Sequence, residues 1–201
     1  MFYNPDIDLN TEPFFFNKEE SKHIIKVNRK QSGDIVFVTN GLGILFTTEI
    51  TLASDSKCTV KVINKKVEVK PHYGLHLAVA PTKMNERFEW FLEKATEIGI
   101  SEITPIICDH SERKVINKER FEKIILSAMK QSNQFYLPKL NDAVSFSDFI
   151  SKSNNDTKFV AHCEEENDKK SLKNILKPNE NITILIGPEG DFSEKEITLA
   201  L

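Results

Sequence analysis

At 201 residues and 23.0 kDa the chain has room for one medium domain or two small ones, which excludes a large multidomain enzyme. With 39% hydrophobic and 28% charged residues, a net charge of −3, 7 glycines and 8 prolines, it is neither disordered, collagen-like nor built on disulfides. No apolar run approaches the roughly 18 to 20 residues that cross a bilayer, and the N-terminus has no basic flank before an apolar stretch, so a cytoplasmic protein without a membrane partner is expected.

In chain order, Lys18 to Lys30 reads as a helix with Ile24, Ile25 and Asn28 on one face. Asp34 to Thr39 and Gly43 to Ile50 are strand-like, and Asn40-Gly41 between them is the dipeptide of a type I′ hairpin. Alternation of apolar and polar residues from Cys58 to Val69 predicts further strands with one wet face. The first seventy residues therefore read as a small β-barrel or sheet with one helix. They carry 10 Lys and Arg against 9 Asp and Glu, whereas residues 151–201 carry 7 against 10. Lys22, Lys26 and Arg29 fall in a basic cluster that can hold phosphates on an anionic molecule, because screening limits distant acids to a reach of about 8 to 10 Å.

After Pro71 strands alternate with helices. Leu75 to Ala80, Ile103 to Cys108, Phe159 to Cys163 and Ile182 to Ile186 read as strands. Helices are predicted over Met84 to Ile98, stopped by Gly99, along the stripe Phe121, Ile124, Ile125 and Ala128, and over Phe146 to Ser151 and Lys170 to Leu176. Such alternation implies crossover connections and a parallel sheet covered on both faces, with the boundary near Lys70 to Gly74. The polar stretch Ser151 to Lys158 reads as a surface loop.

Cys58, Cys108 and Cys163 are odd in number and widely spaced, which predicts reduced, mostly buried thiols and no zinc site. His72 and His76 are four apart but lie across Pro71 and Gly74, so no metal site is expected there either. The densest chemistry lies in Ile182 to Ile197. An apolar strand runs into Gly187-Pro188-Glu189-Gly190, and Ser193 with Glu196 forms a capping box that opens a helix. Ligands sit at the carboxyl ends of strands in such α/β units, and glycines 187 and 190 permit positive φ and close approach. Walker A and G-x-G-x-x-G patterns are missing from this loop, which disfavours phosphate cradling. Glu189, its only carboxylate, could accept a proton, orient a base or hydrogen-bond loop backbone.

Five segments in order carry a resemblance. They are His23 to Arg29 with Gly33-Asp34, Lys94-Ala95-Thr96-Glu97-Ile98-Gly99, Ser111-Glu112-Arg113, Ala128 to Pro138 with Gln131 and Ser132, and Gly187 to Ser193. Together they resemble the RsmE family, the 16S ribosomal RNA uracil N3-methyltransferases of the SPOUT class. That pattern has glycine where Asp191 stands, and an arginine near Gln134 that this chain lacks. The resemblance implies residues 1–70 as a PUA-like β-barrel that helps bind RNA and residues 74–201 as a SPOUT-like α/β methyltransferase domain. It further implies S-adenosylmethionine bound in a trefoil knot, a homodimer, and 16S ribosomal RNA of the small subunit as substrate. Set beside the loop and the basic cluster, this makes Glu189 the catalytic candidate, His162, Ile186, Gly187, Pro188, Glu189 and Gly190 candidate cofactor contacts, and Lys22, Lys26, Arg29 and Arg113 candidate RNA contacts. The family pattern continues beyond the helix opened at Ser193, so with an end at Leu201 the knot is expected to be incomplete. That motivates an alternative, a non-catalytic RNA-binding protein with an incomplete cofactor domain. A different nucleotide-binding α/β domain is a third reading.

Overall fold

A computed structural model describes residues 1–8, 13–152, 157–163 and 170–200. They fall into two compact units, Met1–Lys70 together with Met129–Leu137, and Pro71–Ala128 together with Pro138–Leu201. The loop predicted over Ser151 to Lys158 centres on residues 153–156, which lie outside the described residues, as does Leu201.

The first unit is a five-stranded sheet in the order β1-β3-β4-β5-β2, formed by Phe2–Tyr3, Ile35–Thr39, Ile44–Leu52, Thr59–Val67 and Phe14–Phe15. Period-two alternation places Val36 and Val38 in the core, where they meet Phe2, Phe14, Phe16, Phe46, Ile50 and Val60. The two edges curl together. Asn4 Nδ2 donates to the carbonyl of Phe15 at 3.4 Å, and the Phe2 and Phe16 rings meet edge to face at 6.1 Å. Helix α1, Lys18–Lys22, starts at Asn17, whose side chain accepts the Glu20 N–H at 2.9 Å. It runs on as a wider π turn over His23–Val27, so Ile24 is fully buried while Asn28 closes the turn by bonding back to His23 instead of packing inward.

The predicted hairpin exists, but its turn is not type I′. Thr39 pairs with Leu45, leaving five residues between them, and positive φ falls at Gly41 (76°) and Gly43 (88°), not at Asn40. Asn40 instead accepts the Leu42 N–H on its side chain at 2.9 Å. The loop is held open because segment 135–137 is laid into it. Gly43 N–H donates to the Phe135 carbonyl at 2.9 Å, Leu137 N–H to the Gly41 carbonyl at 2.9 Å, and Tyr136 Oη to the Glu68 carbonyl at 2.9 Å.

The second unit has a parallel sheet in the order β10-β11-β6-β7-β8, made by Thr157–Ala161, Ile182–Ile186, Leu75–Val79, Glu102–Ile107 and Lys139–Leu140, with β9 (Val144–Ser145) also on β7. Alternate residues are buried on both faces. On one, Ala78, Ala80, Ile106, Cys108 and Leu185 pack with Phe146 and Phe149 of α4 (Phe146–Ser151) and Ile197 of α6 (Glu194–Ala200). On the other, Val79 and Ile103 are buried, and Phe88 of α2 (Asn85–Ile98) meets Phe121 of α3 (Lys118–Ser132) at 5.1 Å between ring centres. Gly99 ends α2 at φ 97°, as a helix stop requires. A short helix α5, Leu172–Ile175, stands where Lys170 to Leu176 was expected. No helix among the described residues is long and apolar enough to cross a membrane.

A Cβ built on Gly43 would overlap the Tyr136 ring, and its φ of +88° is strained for any other residue. Gly43→Ala is therefore expected to lower unfolding free energy by about 2 to 4 kcal/mol in urea titrations. A loss below about 0.5 kcal/mol, the range of a neutral surface change, would contradict this packing.

Candidate active site

Parallel register sets the location. Ala161 pairs with Ile186, Ile186 with Val79 and Val79 with Pro105; β10, β11 and β6 end on this row and β7 two residues past it, so four loops emerge side by side. Between β6 and β11 the sheet changes direction: β6 leads through α2 to β7 on one side, while β11 is reached from β10 on the other. Such a switch point is where open α/β sheets place ligands.

The loop 187–193 after β11 is tied to each neighbour. Toward β6, Glu189 Oε1 accepts the Lys83 N–H at 3.0 Å. Toward β7, His110 Nδ1 bonds the carbonyls of Gly190 at 2.9 Å and Asp191 at 3.1 Å, which requires its proton on that nitrogen. Toward β10, Asp191 Oδ2 accepts the Cys163 N–H at 2.7 Å. The β6 and β7 loops are joined directly, since Arg113 donates to the carbonyls of Thr82 at 3.1 Å and Lys83 at 2.5 Å. Lys83 Nζ also pairs with Glu112 at 2.8 Å, and that hydrogen bond and charge raise the Lys83 pKa above its usual value.

The predicted capping box forms and does more than cap. Ser193 N–H donates to Glu196 Oε2 at 2.9 Å and Glu196 N–H to Ser193 Oγ at 3.3 Å. The buried Glu196 spends its other oxygen on the Asp109 N–H at 3.0 Å, and Ser193 Oγ donates to Asp109 Oδ2 at 2.7 Å. Sequence reading missed this second tie because its partner lies 87 residues away.

The glycines act differently from the expectation. Neither Gly187 nor Gly190 has positive φ; the left-handed position is Asp191, at φ 59°. Space is tight at both glycines. A Cβ on Gly187 would stand 3.2 Å from the Phe192 ring, which is buried against Phe146, and one on Gly190 would stand 3.2 Å from His110 Cβ.

Of the cofactor candidates, Ile186, Gly187, Pro188, Glu189, Gly190 and His162 all fall on this rim. Ile186, Glu189 and Gly190 are exposed, and Pro188 is buried. His162 is half-buried, and its Nδ1 is inaccessible and without a hydrogen-bond partner among the described residues. An orphaned polar atom at a rim of glycines and backbone groups suits a ligand with polar and apolar parts. Lys22, Lys26 and Arg29 are exposed in the first unit, with Lys26 3.3 Å from Asp55 and Arg29 at φ 54°. Arg113 is spent on loop carbonyls. His76 is buried, with its ring nitrogens 2.7 Å from the Thr104 hydroxyl and 3.5 Å from that of Thr183, and meets Phe149 edge to face.

Residues 69–201 match the RNA methyltransferase domain family, and residues 16–63 match the RNA methyltransferase PUA domain family. A ribosomal RNA small subunit methyltransferase E from Buchnera aphidicola is 31% identical across 98% of this chain and 79% of its own length. The Rickettsia conorii protein of that name is 30% identical across 88% and 72%. Among solved structures, a probable rRNA-methyltransferase from Porphyromonas gingivalis superposes with a TM-score of 0.90 at 35% identity, over 99% of this chain and 84% of that one. A Legionella pneumophila methyltransferase in complex with S-adenosylmethionine gives 0.85 at 26%, with the same coverage.

The thiols provide a check on rim packing. Cys58 and Cys108 are buried and Cys163 is exposed. Burial, with Glu196 nearby, pushes the Cys108 thiol up to about 12. Near pH 8, iodoacetamide is expected to label Cys163 alone, with Cys58 and Cys108 labelled only after denaturation, as read by peptide mass. The folded chain keeps the Cys108 proton where an unfolded thiol loses it, so this group withdraws stability as pH rises from the ordinary thiol value of 9.0 toward about 12. Rapid native labelling of Cys108 would contradict the packing of Glu196 and Ser111 around it.

Proposed function

Because the chain belongs to the ribosomal RNA small subunit methyltransferase E family, we propose that it methylates N3 of a uridine in 16S ribosomal RNA, using S-adenosylmethionine. The observation that carries this reading is the loop Gly187 to Ser193, held at the sheet's switch point by hydrogen bonds to the loops of three neighbouring strands. A reaction between two bound partners gains most from being held in line, and a cross-tied rim supplies that without moving parts.

The cofactor supplies a methyl group on a positively charged sulfur. Gly187, Pro188 and Gly190 would hold it through backbone groups and Ile186 through its exposed apolar side chain, with His162 beside them on the β10 loop. Uridine N3 carries a proton that must leave before or during transfer. Glu189 is the carboxylate within reach of this loop's ligand side; it takes or orients that proton while its Oε1 holds the Lys83 backbone. The ammonium of Lys83, paired with Glu112, brings positive charge to the same rim, where it favours a developing uridine anion. In the first unit Lys22, Lys26 and Arg29 contact the RNA backbone, and Arg113 serves RNA indirectly by fixing the β6 loop. Family membership is also what supports a knotted cofactor site, a homodimer and a cytoplasmic enzyme.

The test is methyl transfer from labelled S-adenosylmethionine to small ribosomal subunits, with nucleosides separated after digestion. N3-methyluridine is the expected product; RNA binding without methylation would favour the non-catalytic reading. Glu189→Gln is expected to lower kcat about 100-fold with the KM for cofactor changed less than about threefold. An unchanged kcat would confine Glu189 to holding Lys83.

A further inference from the structure

We propose that Asp191 is a positioning residue of the cofactor rim, its carboxylate stapling the loop after β10 to the loop after β11. The proposal rests on the methyltransferase reading, and it concerns a side chain that the related glycine pattern does not provide. Three observations carry it.

First, Asp191 occupies the left-handed region at φ 59°, a conformation that glycine takes without strain and that aspartate takes only with some. Strain held at one position of a ligand loop calls for a compensating interaction. Second, both carboxylate oxygens are engaged: Oδ2 accepts the Cys163 N–H at 2.7 Å and Oδ1 accepts the Phe192 N–H at 2.8 Å. Those lengths are at the short end for hydrogen bonds to a carboxylate. Burial acts to raise this carboxyl's pKa, but the bonds from Cys163 and Phe192, with His162 nearby, outweigh it and hold the pKa below the usual value. The staple is thus charged at neutral pH. Third, β10 is the edge strand and pairs in the sheet with β11 alone among the described residues. Its loop carries His162, and the Asp191 carboxylate is what binds the backbone next to that histidine to the Gly187–Gly190 side. The Asp191 main chain meanwhile accepts from His110 at 3.1 Å, so one residue links the loops of β7, β10 and β11.

Two variants test this. Asp191→Gly removes the staple and relieves the positive φ. Asp191→Asn keeps the shape and the tolerance of that φ but removes the charge. Calorimetric titration with S-adenosylmethionine is expected to show binding about tenfold weaker in both. The Asp191→Gly thermal midpoint should stay level or rise, and the Cys163 amide should exchange about tenfold faster in both variants. In methylation assays the KM for S-adenosylmethionine should rise by a larger factor than kcat falls. The proposal is overturned if Asp191→Gly binds cofactor as tightly as the unaltered chain. It is also overturned if weaker binding comes with a matching fall in midpoint, which would make Asp191 a folding residue. Should the unaltered chain take up no S-adenosylmethionine, the methyltransferase reading fails instead, and exchange at Cys163 then decides the staple: faster exchange in the variants upholds it and unchanged exchange refutes it.

Discussion

Everything at the candidate site follows from the common direction and register of four parallel strands. With β10, β11 and β6 ending on the row Ala161, Ile186 and Val79, and β7 two residues past Pro105 on that row, the chain leaves the sheet four times at the same end, from strands about 5 Å apart. Antiparallel pairing would have sent alternate loops to opposite ends. A one-residue slip of β11 would have turned Leu185 out of the core and lifted Glu189 away from Lys83. The apolar filling that fixes this register, from Ala78, Ile106, Leu185 and Phe192, is therefore also what aligns the polar rim.

The rim is rigid by mutual support more than by the strength of any one bond. Glu189 to Lys83, Arg113 to Thr82, Glu196 to Asp109 and Asp191 to Cys163 each join a side chain to a backbone group on a different loop. Backbone groups at strand ends have lost their ladder partners, so these carboxylates and the guanidinium satisfy what the sheet leaves open. The arrangement exposes a surface of glycine and carbonyl groups in fixed positions, a good host for a ligand that is to be held still.

Local signals in the sequence were legible and distant ones were not. The capping box at Ser193 and Glu196 needs a spacing of three residues, and it formed as expected; the additional hold of Glu196 on Asp109 depends on tertiary contact and left no local pattern. Asn40-Gly41 marked a hairpin correctly, yet its turn type was set by residues 135–137, nearly a hundred positions on. In the Gly-Pro-Glu-Gly loop the expected positive φ falls on Asp191 and on neither glycine, while the glycines leave Phe192 and His110 room to pack. The strands Phe2–Tyr3, Phe14–Phe15, Lys139–Leu140 and Val144–Ser145 are two residues long, too short for periodicity to show. The resemblance to the methyltransferase family was visible because its segments are themselves loops and helix ends, where chemistry leaves a sequence mark that packing does not.

The seating of Tyr136 beside Gly43 bears on the order in which the molecule can be made. The first unit draws its hairpin loop closed around Phe135, Tyr136 and Leu137, and its half-buried Glu20 pairs with Lys130. A nascent chain that has released only its first seventy residues holds the strands but not these partners. Completion of that unit waits on synthesis of residue 137, by which point β6, β7 and α2 have already emerged. The two units thus mature along overlapping stretches of time, and the N-terminal sheet is sealed by a segment translated after much of its neighbour.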